Sequence, residues 1–232
     1  MIFRQLYEHQ TSTYTYLLGD ENTRKAAIID PVKEKLDTYL QLLNELGLKL
    51  IAALDTHTHA DHITALGKLH EITGCETYVG EQSGARCASH RLTDGEIIKI
   101  GNIRLRAIYT PGHTDDSYSF HLLNDQQSAV FTGDTLLIRG TGRTDFQNGS
   151  AQAQYHSLFN KLLQLPDNTL VYPGHDYKGW TVSTIAEERQ HNPRLQVADV
   201  EAYAELMGSL NLAHPKQMDI AVPANLRCGL VE

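Results

Sequence analysis

The chain is most tightly constrained where LKLIAAL (48–54) runs into DTHTHADH (55–62). The first stretch is a continuous apolar run of strand length, the kind a sheet covers on both faces. The second packs three histidines and two aspartates into eight positions. A set of metal-binding side chains therefore stands on a loop at the carboxyl end of a buried strand.

The rest of the pattern supplies more strands and helices around that junction. TYTYLLG (13–19) and AAIID (26–30) read as strands, closed by Gly-Asp and Asp-Pro turn signals. Between Lys33 and Leu46, Leu36, Tyr39, Leu40, Leu43 and Leu46 recur at helical spacing, with Gly47 at the stop position. ITALGKLHEITG reads as a second helix and CETYVG as a strand, followed by IIKIG, IRLRAIYT, YSFHLL and SAVFTG as four more. A helix at 151–165, the strand TLVYPG and helical segments near 181–191 and 198–210 complete the chain. Strands grouped in the middle with helices on both sides predict an α/β sandwich of layers. No linker or repeat interrupts it, so one domain over 1–232 is expected, with a helical extension from about 181.

Three later loops repeat the same device. His113 follows Pro-Gly in TPGHT, Asp134 follows Thr-Gly in FTGDT, and His175 follows Pro-Gly in YPGHD. Each comes after an apolar strand, so each side chain can project from the same edge of the sheets as His57, His59, Asp61 and His62. Imidazoles and carboxylates without cysteine favour zinc, iron or manganese. The set suffices for two ions, one on His57, His59 and His113, the other on Asp61, His62 and His175, with Asp134 between them. It equally permits one ion with the remaining groups supporting its ligands. Taken alone, the ligands favour a dinuclear hydrolase.

Charge and cysteine content narrow the partners. Lysine and arginine number 20 against 28 acidic residues, a formal charge of -8, and no basic run is present to bind phosphates or anionic lipid. Nucleic acid and membrane are not expected partners. MIFRQLYEHQ has neither a signal-like apolar stretch nor transit character, so a cytoplasmic protein is expected. Cys75, Cys87 and Cys228 are odd in number and far apart, which predicts free, buried thiols and no disulfide.

The order HxHxDH, then H, D and H on later loops, resembles the metallo-β-lactamase superfamily over residues 1 to about 180, which implies a four-layer αββα sandwich with metal at one edge. GDTLLIRGTGRTDFQNG (133–149), VYPGHDYKGWTVSTIAEER (171–189), NPRL (192–195) and PANLRCG (223–229) carry a closer resemblance, to the persulfide dioxygenase family. Glyoxalase II shares the ligand set and the Gly-x-Gly-Arg turn but has a different C-terminal helical domain. It implies the alternative, a dinuclear zinc thioesterase acting on glutathione thioesters.

The dioxygenase resemblance implies one Fe(II) per chain on His57, His113 and Asp134, with His59, Asp61, His62 and His175 supporting those ligands. It implies oxidation of glutathione persulfide by O2 and water to glutathione and sulfite, and a homodimer. Arg143 matches a position associated with glutathione binding, and pairing with Asp145 to brace its loop is the competing role. Tyr177 is a candidate to touch the substrate sulfur, catalytically or by simple contact, or else an aromatic packing residue. Arg139 and Lys178 are weaker candidates. Thr58 and Thr141 stand where mammalian members carry cysteines, which puts thiol-based regulation there in doubt.

Overall fold

The computed structural model describes residues 1–123, 128–210, 212 and 217–230. The chain falls into two compact units, one formed by Met1–Leu92, Ile97–Arg104 and Pro215–Glu232, the other by Thr93–Glu96 and Leu105–His214.

In the first unit, β1 (Ile2–Glu8), β2 (Thr13–Gly19), β3 (Lys25–Ile29), β4 (Lys49–Leu54), β5 (Glu76–Gly80) and β6 (His90–Leu92) form a six-stranded sheet in sequence order. The pairing is antiparallel from β1 to β3 and parallel from β3 to β6. Parallel neighbours need crossovers, and α1 (Leu36–Glu45) and α2 (Leu66–Thr73) provide the first two. The predicted helix from Lys33 opens as a 3-10 turn over Lys33–Lys35, and it stops before Gly47, whose φ of 58° suits glycine. Tyr39 and Leu43 of α1 and Leu66 and Leu69 of α2 pack with Leu17, Ile28 and Ala53 of the sheet. Burying each such leucine contributes about 1.5–3 kcal/mol. Leu18, Ala27, Ile29 and Leu54, alternating with these, are buried too, which is why the strands read as unbroken apolar runs.

The second sheet has the order β12-β11-β10-β9-β8-β7, from β7 (Ile97–Ile100), β8 (Ile103–Tyr109), β9 (Tyr118–Leu122), β10 (Ala129–Phe131), β11 (Leu170–Tyr172) and β12 (Ser183–Thr184). It is mixed, with β10 and β11 parallel and β8, β9 and β10 antiparallel. In the second unit α3 (Ala151–Asn160), α4 (Ile185–His191) and α5 (Val200–Gly208) cover one face, placing Leu158, Ile185, Tyr203 and Met207 against Val130 and Val171. The helical segments expected near 181–191 and 198–210 are thus α4 and α5. A further helix, α6 (Met218–Asn225), was not expected, since Pro223 lies inside it. β1, β6 and β12 also went unread, being half-exposed or only two or three residues long.

The cysteine expectation fails at two positions. Cys87 and Cys228 form a disulfide, with Cα atoms 6.0 Å apart across 141 residues, and Cys75 is the buried free thiol. Odd number and wide spacing argue only against a local framework. Here the C-terminal segment returns to the loop after β5 within the first unit, a pairing no sequence interval encodes. No described helix is long and apolar enough to cross a membrane.

Candidate metal centre

The histidine-rich loop leaves β4 as predicted, and side chains from distant positions hold it. Asp30, at the end of β3 with φ 51°, accepts the Thr56 amide at 2.7 Å and the Thr56 hydroxyl at 3.0 Å, and its Oδ1 lies 3.2 Å from His59 Nε2. Asp61 Oδ2 is 2.9 Å from His62 Nδ1, and Asp55 Oδ1 accepts the Thr64 hydroxyl at 3.0 Å. Asn225 of α6 closes the loop from behind, donating to the carbonyls of His59 and His62 at 2.9 Å each and accepting the Thr64 amide at 2.9 Å. The rings of His57 and His62 both stand beside His59, with centroids 4.2 and 4.3 Å away.

Electrostatics within this loop favour a charged imidazole. Burial opposes charge on His59, but Asp30, Asp55 and Asp61 together outweigh it and raise its pKa from 6.5 to about 9. Its Nδ1 is buried and has no hydrogen-bond partner among the described residues. Ligand atoms of His59, Asp61 and His62 lie within 4.8 Å of one another, close enough to share a cation. An unpartnered buried nitrogen marks a missing partner, and on losing its proton it could serve a metal held with Asp61 and His62.

In the second unit, His113 follows β8, Asp134 follows β10 and His175 follows β11, each on the strand-closing loop predicted for it. His113 Nδ1 lies 2.8 Å from the carbonyl of Arg143. A carbonyl only accepts, so Nδ1 carries a proton, and Nε2 is the ring atom left to meet a metal. That Nε2 is 3.6 Å from Asp134 Oδ2. The gap suits two ligands meeting one ion at bonds of about 2.0–2.2 Å. The other carboxylate oxygen of Asp134 receives His175 Nδ1 at 2.7 Å. Gly142 makes the arrangement possible, because a Cβ there would lie 2.3 Å from the Asp134 carbonyl and 2.8 Å from His113 Nδ1. Its amide donates to the Asp134 carbonyl at 2.7 Å, so the Gly-Thr-Gly-Arg turn lies against both ligands.

A cavity of about 400 Å³ in the same unit is lined by His113, Asp134, His175 and the turn at Gly140–Arg143. Arg143 also lines it, with its guanidinium paired to both oxygens of Asp145 at 2.7 and 2.8 Å and stacked over Phe146. That pairing holds the Asp145 carboxyl below the usual carboxylate range. Tyr177 stands at the rim, 72% exposed, with its ring parallel to that of His175. Arg139 is tied to Glu187 and Glu188, while Lys178 is exposed at the cavity edge. Thr141 takes hydrogen bonds from Arg194 and from Tyr203, whose hydroxyl burial pushes up to about 12. Thr58 contacts Ser83.

Each unit thus brings its own predicted groups together: His57, His59, Asp61 and His62 in one, and His113, Asp134, His175, Arg143 and Tyr177 in the other. Three working residues were not singled out from sequence. Asp30 read as half of an Asp-Pro turn, and its positive φ was the hidden signal. Asn225 and Arg194 stood inside PANLRCG and NPRL without a role.

Residues 10–175 match the metallo-beta-lactamase superfamily model. The chain is 50% identical over 231 residues to the mouse (Mus musculus) mitochondrial persulfide dioxygenase ETHE1, spanning 99% of this chain and 89% of that protein. The crystal structure of ETHE1 from Myxococcus xanthus superposes with a TM-score of 0.94 at 53% identity, over 99% of this chain and 100% of that one. A probable hydroxyacylglutathione hydrolase of Schizosaccharomyces pombe is 36% identical, over 83% of this chain and 86% of that protein.

Proposed function

The chain belongs to the metallo-β-lactamase superfamily and, within it, to the persulfide dioxygenase family, and from that premise we propose that it oxidises glutathione persulfide with O2 and water to glutathione and sulfite. Its fold is the α/β fold of that superfamily, two mixed sheets each flanked by helices. The observation that carries the activity is the half-identity to persulfide dioxygenases over nearly the full length, against a lower and shorter likeness to the hydrolase.

We assign one Fe(II) per chain to His57, His113 and Asp134. Two imidazoles and a carboxylate would hold it, and iron bound there would supply a centre for the reaction of a persulfide with dioxygen. The chain's own groups prepare for it. The Arg143 carbonyl sets the His113 tautomer, and His175 fixes the orientation of Asp134 by holding one oxygen. His59, Asp61 and His62 support the loop carrying His57, with His59 engaged by Asp30. Arg143 and Tyr177 border the cavity, where a cation and a phenol can meet an anionic tripeptide persulfide. Oxidation of the outer sulfur to sulfite releases the four electrons that reduce O2, so no external reductant enters.

The 232 residues are read as a single domain, with helices from about 181 as its extension, that unfolds in one transition, forms a homodimer and acts in the cytoplasm. Calorimetry, light scattering and fractionation check these in turn. The central experiment is oxygen uptake by anaerobically purified, iron-loaded protein given glutathione persulfide, with metal and sulfite measured on the same sample. Uptake with about one iron per chain supports the assignment. Two zinc ions, no uptake and hydrolysis of a glutathione thioester would replace it with the thioesterase.

A further inference from the structure

The cavity of the second unit holds four cationic side chains, Arg139, Arg143, Lys178 and Arg194. Their circumstances differ. Arg139 is closed by Glu187 and Glu188, and Arg143 shares its charge with Asp145. Lys178 is exposed, where water screens it.

Arg194 is partly buried and has no carboxylate partner among the described residues. One terminal nitrogen donates to the backbone carbonyl of Thr141 and to its hydroxyl at 3.3 Å. Its other guanidinium nitrogens make no hydrogen bond among those residues, although the group has five N–H donors in a flat fork. Burial pushes its pKa down from the ordinary arginine value, with the Tyr203 phenol opposing. A desolvated cation without an anion is costly, and a protein keeps one where an anion arrives from outside. The anchor matters as much as the charge. Thr141 belongs to the turn whose Gly142 lies against Asp134 and whose Arg143 carbonyl orients His113. Arg194 is therefore referenced to the reacting end of the cavity.

We propose that Arg194 receives a carboxylate of the thiol carrier and so makes the enzyme selective for carboxylate-bearing persulfides. This rests on the glutathione persulfide reading above. Glutathione has two carboxylates, so Arg194 and Arg143 divide them, and a cavity of about 400 Å³ is within the range that takes a small-molecule ligand. Small persulfides without a carboxylate gain nothing from Arg194.

The test is calorimetric titration of the intact, metal-loaded chain with glutathione and with its diethyl ester, in wild type, Arg194→Gln and Arg194→Lys. Both variants retain a donor for Thr141. Arg194→Gln is expected to weaken glutathione binding about tenfold or more, Arg194→Lys to weaken it less, and neither to alter binding of the diester. Equal loss for both ligands would mean that Arg194 only braces the turn, and loss below twofold for glutathione would likewise overturn the assignment. Oxygen uptake on the same samples separates the two levels. Arg194-dependent binding without uptake of O2 removes the dioxygenase reading and leaves this one standing. Uptake with Arg194-independent binding removes this one alone.

Discussion

The two units hold their histidines by opposite means. In the first, side chains do it: Asp30 engages His59, Asp61 engages His62, and Asn225 ties their carbonyls. In the second, backbone holds His113: the Arg143 carbonyl orients its ring, and Gly142 lets the turn lie against Asp134, whose carboxylate in turn holds His175. The chemical result differs accordingly. Carboxylate partners draw a proton onto His59, whereas a carbonyl accepts the Nδ1–H of His113 and leaves its Nε2 on the side of Asp134. Two loops with the same residue types thus hold their histidines differently: carboxylates raise the pKa of His59, and a carbonyl fixes the direction in which His113 donates.

The sharpest way to break this contrast is Gly142→Ala. The added carbon overlaps the Asp134 carbonyl and His113, so a displacement near one ångström and a loss of activity of about 100-fold are expected. Steady-state kinetics and metal content check it, and a variant within twofold of wild type would show that the backbone does not set the ligand geometry. On the side-chain half, Asn225→Ala removes three buried hydrogen bonds, and a cost of about 2–4 kcal/mol is expected in urea unfolding. An unchanged midpoint would remove α6 as the brace.

Cys87→Ala, or reduction with dithiothreitol, opens a cross-link spanning 141 residues and should cost roughly 2–4 kcal/mol. Thermal melts with and without reductant, and thiol titration of the purified protein, read this directly. A melt insensitive to reductant would show that the pair does not form. The smallest expected effect is on pH. The pKa of His59 is raised on folding, so its contribution is complete below about 6.5 and disappears as pH climbs through about 9. Metal-free protein should lose stability over that window, and Asp30→Asn should flatten the slope. A flat profile in the wild type would mean that His59 is neutral throughout.

Legibility in the sequence followed physical range. β2 over Thr13–Gly19 and β4 ending at Leu54 were readable because period and turn residues are local signals. The loops carrying His57, His113, Asp134 and His175 were readable because each follows such a strand. Asp30, Asn225 and Arg194 act across 29, 166 and 53 residues, on His59, His59 and Thr141 respectively, and no local rule reports that reach. The disulfide was misread for the same reason. Even the competing roles of Arg143 differ only in whether Asp145, two residues on, lies within reach of its guanidinium.

The position of Asn225 also sets an order of events during synthesis. His62 leaves the ribosome 163 residues before the side chain that fastens its carbonyl. At ordinary elongation rates that interval is roughly 10–30 s, during which the histidine loop exists without its closing residue. The carbonyls of His59 and His62 are thus fastened only when almost the whole chain has been made.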